Sequence, residues 1–574
     1  METSVTNRLR HALPVALLSF ALLATGCKKK AHLHQADESS PDYTASLQAD
    51  VNSRELANLR WPDFSDYRKS IAAFYQNRDW LIAWSNAGNP TSQAQALIRA
   101  FEHCDDRGLN PEDYDASRWQ QRIADLRSKS AESTALFDTA LTINAMRFIS
   151  DLHVGRVNPK HFSFGINIDA KKLDLPAFLA TQVIEASDVD GVVNSVEPQT
   201  LQYKALKDAL RQYRGLLPQD NTEPVPLVTG KSVEPGKPYS GSAQVQAKLK
   251  LLGDEPATDP GTTDTTTYDR ALVDAVKHFQ HRHGLAEDGK LGKETTAALN
   301  VTIDTRINQI TDTLERWRWL SDEYLNATLM VNLPEFILRG YAGPDHKLDF
   351  TMRVVDGIAT PEHRTPVLAD HMRYLIFRPF WNVPVGIAKK ELVPHILANA
   401  NYLSEKNYEA VDRKGNHVTA NVNQIAHGMV MVREKPGPTN SLGLVKFMFP
   451  NQFDVYLHST PSVSLFQRTR RDYSHGCVRV QEPVKLATWL LQDNPKWDED
   501  KIKDAMENGQ DNKTAMLPHP IPIVIFYATA FIDEDGEIHF FNDIYTYDKM
   551  LEDALKHGPP YPQKPVAPVV QADV

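Results

Sequence analysis

The segment between residues 453 and 479 constrains the fold more than any other part of the chain, because it places a histidine and a cysteine 19 residues apart. His458 ends a run in which apolar and polar residues alternate, a pattern typical of a strand with one buried face. The apolar members of that run are Phe453, Val455 and Leu457. Nineteen residues suffice for a loop and a returning strand. The sequence therefore predicts that Cys477 comes back beside His458.

A cysteine beside a histidine suits nucleophilic catalysis. A free thiol with a pKa of about 8.5 is mostly protonated at neutral pH, and a neighbouring imidazole can accept its proton. Gly476 precedes Cys477 directly, and a residue without Cβ lets the backbone approach a substrate closely. Pro483 then starts a helix with an apolar face. Cys477 is thus expected in a tight loop, with the amides of Gly476 and Cys477 as candidate oxyanion donors.

Two other interpretations of these residues remain open. Cys477, His458 and His475 could be zinc ligands, but no fourth ligand stands nearby and the chain lacks paired cysteines. Cys477 could also be a buried structural thiol, although an inert core cysteine does not require a His-Gly pair before it.

The same residues resemble the signature of the YkuD-type L,D-transpeptidases, which cross-link the cell wall and are inhibited by carbapenems. The signature is His458 together with Ser474-His475-Gly476-Cys477-Val478-Arg479. Further segments follow in the order of the large, multidomain YcbB-like branch: Arg353-Val354-Val355-Asp356-Gly357, Thr365-Pro366, Trp381-Asn382-Val383-Pro384 and Asn440-Ser441-Leu442-Gly443. Arg479 departs from the pattern, because many smaller members have Asn there.

The resemblance implies a role for each residue of the motif. Cys477 would attack the carbonyl on the L-centre of the third stem-peptide residue, typically meso-diaminopimelate, and release the terminal D-Ala. His458 would accept the thiol proton, oriented by the backbone carbonyl of Ser459. Ser474 and His475 would shape the loop. Arg479 would position a substrate carboxylate or brace the loop, with a purely structural salt bridge as the alternative. The expected cleft residues are Tyr456, Trp381, Asn382 and Arg378. No metal or other cofactor is implied.

The N-terminus predicts export. Arg8 and Arg10 precede an apolar run of signal-peptide length, which is too short to span a bilayer. The run ends in Ala24-Thr25-Gly26-Cys27, which resembles a bacterial lipobox although Leu is more usual at position 24. An ordinary signal peptide with a coincidental cysteine is the alternative. We expect Cys27 to carry a lipid anchor to a membrane, and Lys28 favours the outer membrane on the periplasmic side of a Gram-negative cell.

Length, charge and cysteine count limit the number of domains, the kinds of partner and the possible disulfides. A chain of 574 residues exceeds one ordinary core, so two to four domains are expected. A net charge of −10 argues against nucleic acid as a partner. Cys104 is the only other cysteine besides Cys27 and Cys477, and pairing it with Cys477 would disable the nucleophile. Cys104 is therefore expected to be a buried small hydrophobe.

The sequence predicts a multidomain α+β protein with a helical scaffold, a small three-helix peptidoglycan-binding module and a mostly-β YkuD-like catalytic domain with a helical capping insertion. The predicted parts are a signal peptide (1–26), a tether (27–60), the scaffold (61–228), a linker (229–242), the module (243–305), the catalytic domain (306–548) with its cap at about 385–432, and a C-terminal tail (549–574). Insertions of this kind often gate substrates.

The leading function is a cysteine-dependent L,D-transpeptidase that forms 3–3 cross-links through a thioester, with peptidoglycan stem peptides as acyl donor and acceptor. The same nucleophile would serve an L,D-carboxypeptidase, or an enzyme that attaches a lipoprotein to peptidoglycan. A non-enzymatic wall-binding lipoprotein is the alternative from another class. Cell-wall synthesis proteins are candidate partners.

Overall fold

The computed structural model describes residues 43–254 and 266–563. The predicted signal peptide, the predicted lipidation site Cys27 and most of an enlarged loop expected at 254–269 lie outside the described residues. Within the described ranges, no helix is both long and apolar enough to cross a membrane.

The N-terminal part is helical, as the amphipathic pattern predicts. Its elements are α1 Thr44–Ser53, α2 Arg68–Gln76, β1 Ser85–Asn86, β2 Asn89–Pro90, α3 Ser92–Glu102, α4 Trp119–Leu126, α5 Ala131–Val154, α6 Leu175–Phe178, α7 Val189–Val196 and α8 Leu201–Leu216. The 24-residue helix α5 is buried along most of its length, and the Ser130 hydroxyl caps it by accepting the Ser133 amide. Cys104 is fully buried in the same core, as expected.

The predictions of a tether near the N-terminus and of a tail at the C-terminus are both wrong in part. The tether was expected to extend to residue 60, but α1 begins at Thr44 and buries Leu47 and Val51. A tail was expected from residue 549, but a final helix at Tyr547–Leu555 buries Leu551 in the core. Both segments are polar overall and contain few apolar residues. Whether these few residues are buried depends on the distant surfaces that they pack against, which the local sequence does not specify.

Three helices form the predicted small module, namely α9 Ser242–Leu252, α10 Val273–Arg282 and α11 Lys293–Leu299. Gly253 ends α9 in the left-handed conformation, as a helix-terminating glycine does. The module has a hydrophobic cluster of its own around Val245, Leu249 and Phe279.

The C-terminal part combines a large sheet with flanking helices. Its elements are α12 Ile303–Trp319, α13 Asp322–Leu325, β3 Leu329–Asn332, β4 Ile337–Ala342, β5 Lys347–Gly357, β6 Leu368–Phe377, β7 Trp381–Val383, α14 Val385–Ile387, α15 Val393–Ala398, α16 Tyr402–Glu405, β8 Tyr408–Val411, α17 Val422–Ala426, β9 Met431–Glu434, β10 Val445–Met448, β11 Leu457–His458, β12 Asp472–Ser474, β13 Val478–Val480, α18 Pro483–Leu490, α19 Glu499–Glu507, β14 Lys513–Phe526, β15 Ala530–Ile532, β16 Ile538–Phe540 and α20 Tyr547–Leu555.

Nine strands form one mixed sheet in the order β12-β5-β13-β11-β10-β6-β14-β3-β4. Because β5 also pairs with β4, eight of these strands close into a barrel and β12 extends the sheet beside β5. Helix α12 packs on the sheet, with the Trp317 ring 5.1 Å from that of Phe526. The barrel therefore gives the short strands β11 and β13 a rigid frame.

The sequence predicts a hairpin near the C-terminus, with strands at 521–531 and 537–541, but the structure divides this segment differently. Residues 530–532 and 538–540 pair as expected, with Ala530 opposite Phe540. Residues 521–526 instead belong to the 14-residue strand β14, which pairs with β3 and β6 in the main sheet. A buried apolar run is compatible both with a hairpin strand and with a strand of the main sheet, because either position buries its side chains.

The insertion after β6 has its own small core, built on Val383, Leu392, Ile396, Ile425 and Val432. The prediction of a helical cap is incomplete, because the segment also contains the three-stranded sheet β7-β9-β8. These strands have only three or four residues each, too few to show a period in the sequence.

Candidate active site

Three neighbouring strands present a row of polar side chains on one face of the barrel sheet. Lys446 on β10 lies opposite His458 on β11, and His458 lies opposite Arg479 on β13. Paired residues point to the same face of a sheet, and the adjacent pair Leu457 and Val478 is fully buried in the core. The row therefore faces away from that core. Tyr456 and Cys477 lie two positions before His458 and Arg479 on their chains, next to this row.

The predicted tight loop joins β12 to β13 and holds Cys477. Gly476 has a φ of +124°, a conformation that L side chains rarely adopt. The Ser474 hydroxyl accepts the Gly476 amide at 3.1 Å and donates to the Cys477 carbonyl at 2.5 Å, so it closes the loop on itself. This engages the Gly476 amide, which was expected to be free for an oxyanion. Among described residues the Cys477 amide has no hydrogen bond, and it is the open donor of the pair.

Two more of the sequence segments lie beneath this loop. The Thr365 hydroxyl donates to the Gly476 carbonyl at 2.8 Å and accepts the Gly357 amide at 2.9 Å. Tyr545 adds a hydrogen bond to the Gly357 carbonyl at 2.6 Å. The Asp356-Gly357 and Thr365-Pro366 segments thus brace the loop from behind. Thr365 and Tyr545 were not among the predicted site residues.

The His458 ring is buried and oriented by the backbone. Nδ1 lies 2.5 Å from the Ser459 carbonyl, which can only accept, so Nδ1 carries the proton and Nε2 keeps the free lone pair. Gly443 packs so closely that a Cβ there would lie 2.7 Å from the Ser459 Cβ. Burial, reinforced by the positive charge of Arg479, lowers the pKa of His458 to about 3.

Cys477 is a free, partly exposed cysteine. Its surroundings raise the pKa of the thiol to about 11, mainly by desolvation. Hydrogen bonding to Tyr456 and the charge of Lys446 act in the opposite direction and favour the thiolate. Lys446 lies 5.2 Å from the centre of the Tyr456 ring, so the cation, the phenol and the thiol form one group. Lys446 was not predicted, although its place between buried Val445 and Phe447 marks it as facing the other way.

The predicted pair lies on neighbouring strands of the sheet, but the two side chains form no hydrogen bond with each other among the described residues. In the described part of the chain no hydrogen bond joins the Cys477 sulfur to the His458 ring, and Sγ instead lies 3.9 Å from the Asp454 carbonyl. With pKa values of about 11 and about 3, thiol and imidazole are both neutral at pH 7. Neither group is therefore charged before a substrate binds.

Arg479 is the second cation of the row. Among described residues it forms no ion pair, and its Nε is buried without a hydrogen bond. Desolvation lowers its pKa, which the neighbouring Cys477 thiolate would oppose. The alternative of a structural salt bridge is not seen.

The remaining predicted residues lie on or against the cap. His475 is exposed, and its Nε2 lies 2.6 Å from Glu391 of the cap. Trp381 and Asn382 form the start of the cap sheet, opposite Glu434 and Arg433. Trp381 packs on the cap core and Asn382 is exposed. Their predicted role as cleft residues remains a prediction.

Three family models match consecutive parts of the chain. Residues 69–210 match a model described as "Scaffold domain", residues 240–299 one described as "Putative peptidoglycan binding domain", and residues 326–505 the YkuD model, described as "L,D-transpeptidase catalytic domain". The row, the cysteine loop and the cap all lie inside the third match.

A Haemophilus influenzae protein named "Putative L,D-transpeptidase" is 32% identical over 279 residues, which cover 46% of this chain. The match spans 54% of that protein, so the chain covers about half of the curated relative it resembles. Among solved structures, an L,D-transpeptidase from Xylanimonas cellulosilytica is 13% identical, with 53% of this chain and all of the other covered. A fused Zn-dependent amidase/peptidase/peptidoglycan-binding protein from Clostridium acetobutylicum is 14% identical, at 52% and 99%. Both TM-scores are 0.15, too low to carry an argument.

Proposed function

We propose that this chain, which carries a YkuD L,D-transpeptidase catalytic domain next to a peptidoglycan-binding domain, joins peptidoglycan stem peptides by 3–3 cross-links through a thioester on Cys477. The observation that carries the proposal is the row Lys446–His458–Arg479, with a partly exposed free thiol beside it. It offers a nucleophile, a base with a fixed tautomer and two cations on one surface.

In the proposed first step, the Cys477 proton passes to Nε2 of His458 as the sulfur attacks the donor carbonyl. The S–C bond forms, the C–N bond to the terminal D-Ala breaks, and the leaving amine takes the proton from His458. The Cys477 amide would stabilise the oxyanion. Catalytic hydrogen bonds are often long before substrate arrives, so the separate resting positions of the two side chains are compatible with this step.

In the second step the acceptor amine attacks the thioester, so that a C–N bond forms and the C–S bond breaks, and the proton of the amine passes through His458 to the released sulfur. Arg479 would bind a carboxylate of a stem peptide, because a partly buried guanidinium whose Nε has no hydrogen bond among the described residues favours an anionic ligand. Water in place of the amine would give a carboxypeptidase, and a lipoprotein amine would give attachment to the wall.

Incubation of purified protein with cell walls, followed by digestion and mass spectrometry of the muropeptides, tests the proposal. New dimers linked between two third residues are expected with the native chain and not with Cys477→Ala. Equal dimers with both proteins would overturn the nucleophile assignment. Tripeptide monomers without dimers would show hydrolysis instead.

The proposal includes export and anchoring. Positions 8–27 fit a lipoprotein signal, so Cys27 would carry lipid and hold the enzyme in the periplasm, at the outer membrane. Labelled palmitate should enter the native protein and not Cys27→Ser; labelling of both would refute the anchor.

A further inference from the structure

The small module contacts the catalytic part through helix α10 and the hairpin β15–β16. Arg282 donates from Nη1 to the Ile538 carbonyl at 2.9 Å, and Nε2 of His278 lies 3.0 Å from Glu537. A Cβ at Gly284 would lie 3.0 Å from Phe541. The two surfaces are therefore packed directly against each other.

Three metal-binding side chains meet at this contact, one from the module and two from the hairpin. They are His281, Asp533 and His539, and one ligand atom from each lies within 4.8 Å of the others. Nε2 of His539 is already 3.0 Å from Oδ2 of Asp533. Ligands at about 2.0–2.2 Å from a tetrahedral Zn²⁺ lie about 3.3 Å apart, so this pair has the required spacing. His281 is exposed and free to approach them.

The neighbours of the three groups resemble the outer shell of a metal site. Glu287 accepts from Nδ1 of His281 at 2.9 Å, which directs Nε2 of that ring outward as a lone-pair donor. The second oxygen of Asp533 accepts the amides of Asp535 and Glu537, at 3.0 and 2.8 Å, so the carboxylate is fixed in orientation. Histidine and carboxylate ligands held this way match the preference of zinc.

We propose that His281, Asp533 and His539 bind a divalent first-row transition metal, with Zn²⁺ as the probe, and that the ion clips the small module to the hairpin of the catalytic part. The fourth position would be filled by water, since only three protein ligands converge among the described residues. This site uses no residue of the proposed active site.

The test is Zn²⁺ binding by the full chain, freed of metal by chelation and without an affinity tag. Calorimetry should give one saturable site, lost or weakened about 100-fold or more in His281→Gln and in His539→Gln, because even outer-shell changes cost 10- to 100-fold. His278→Gln is the matched control on the same helix and should bind as the native chain does. Cys477→Ser should also keep the site, which excludes binding by the thiol.

A second readout separates loss of a ligand from loss of folding. Co²⁺ should give a tetrahedral visible spectrum in the native chain and in His278→Gln but not in His281→Gln, while circular dichroism stays unchanged for all. Lack of saturable binding by the native chain would overturn the proposal. So would a site that survives both His281→Gln and His539→Gln, or one that His278→Gln removes equally.

Discussion

At the scale of single residues, the protein holds its thiol and its imidazole in the neutral forms. Desolvation of His458 and of Cys477 moves their pKa values in opposite directions, to about 3 and about 11, and both shifts disfavour charge. A preformed thiolate–imidazolium pair would require the reverse order of these values. In the proposed mechanism, proton transfer from Cys477 to His458 would therefore accompany the attack of the sulfur on the substrate, with Lys446 and Arg479 stabilising the charge that develops.

The raised thiol pKa predicts how Cys477 reacts with iodoacetamide, which requires the thiolate. Because the folded pKa lies above the ordinary value of about 8.5, the alkylation rate should keep rising from pH 7 to above pH 9. Intact-mass spectrometry against pH measures it, with a free cysteine peptide as the reference that levels off earlier. Buried Cys104 should not react. A plateau below about pH 8 would show an activated thiolate and contradict the neutral resting pair.

Arg479 and Arg471 offer a matched comparison of two partly or wholly buried arginines. Arg471 donates to backbone carbonyls of Val354, Arg468, Thr469, Glu335 and Phe336. Arg479 forms no such bond among described residues. Arg479→Gln should lower kcat/KM by about 10- to 100-fold, the worth of a charge-assisted hydrogen bond, without lowering Tm. Arg471→Gln should lower Tm, because it removes bonds that fix the fold.

Kinetics with a stem-peptide donor and a thermal melt decide between the two roles. If Arg479→Gln lowered Tm as much as Arg471→Gln, Arg479 would be a structural residue, and its assignment to the substrate would fail.

At the scale of elements, the turn at residues 440–443 positions His458, the proposed catalytic base. The Leu442 amide donates to the Asn440 side chain at 2.8 Å, and the Leu442 backbone acts to raise the pKa of His458, against the larger effect of burial. Gly443 has a φ of +60° and packs against Ser459, whose carbonyl holds Nδ1 of His458. The turn thus fixes the tautomer of the base through one backbone group.

Gly443→Ala should displace that carbonyl. Its Cβ would lie 2.7 Å from both the Ser459 Cβ and the Thr460 amide, so the backbone must shift. We expect kcat to fall about 10- to 100-fold with a smaller change in KM, since misplacing a catalytic group by about 1 Å has that effect. Gly386→Ala in the cap is the control, because nothing lies within 4 Å of its added Cβ. Equal kcat in the two variants would exclude this role for the turn.

Helices and turns that depend on the local pattern of residues could be predicted from the sequence. Features that depend on contacts between distant parts of the chain could not. Helices α3, α5 and α9 to α12 follow from the spacing of their apolar residues, and the loop at Cys477 follows from Gly476. Lys446 reaches the site only through the pairing of β10 with β11, which no local pattern specifies. The same holds for closure of the barrel by β5 and for α1 and α20, whose burial depends on surfaces far away in sequence.

At the scale of the whole molecule, one buried carboxylate links the helical part to the catalytic part. Glu315 on α12 is fully buried and accepts from the backbone and side chain of Arg156, from the Val157 amide and from Arg318. Arg318 in turn donates to the Tyr203 hydroxyl on α8 at 3.0 Å. Residues 155–157, which follow the long helix α5, are thereby fastened to the helix that packs on the barrel.

Removing the charge of Glu315 should therefore weaken the attachment of the helical part to the catalytic part, and not only a local contact. In Glu315→Gln the shape is kept, but Arg156 and Arg318 lose their buried counter-charge, which typically costs about 3–5 kcal/mol. We expect the first unfolding transition in guanidinium chloride to move to a clearly lower concentration and proteases to cut near residues 155–160 in the otherwise folded chain. Glu499→Gln, which breaks the exposed pair with Lys503, is the control and should leave the midpoint unchanged. If both variants unfolded at the native midpoint, the two parts would be held together by apolar packing alone, with the Trp319 and Phe162 rings, 5.8 Å apart, as its centre.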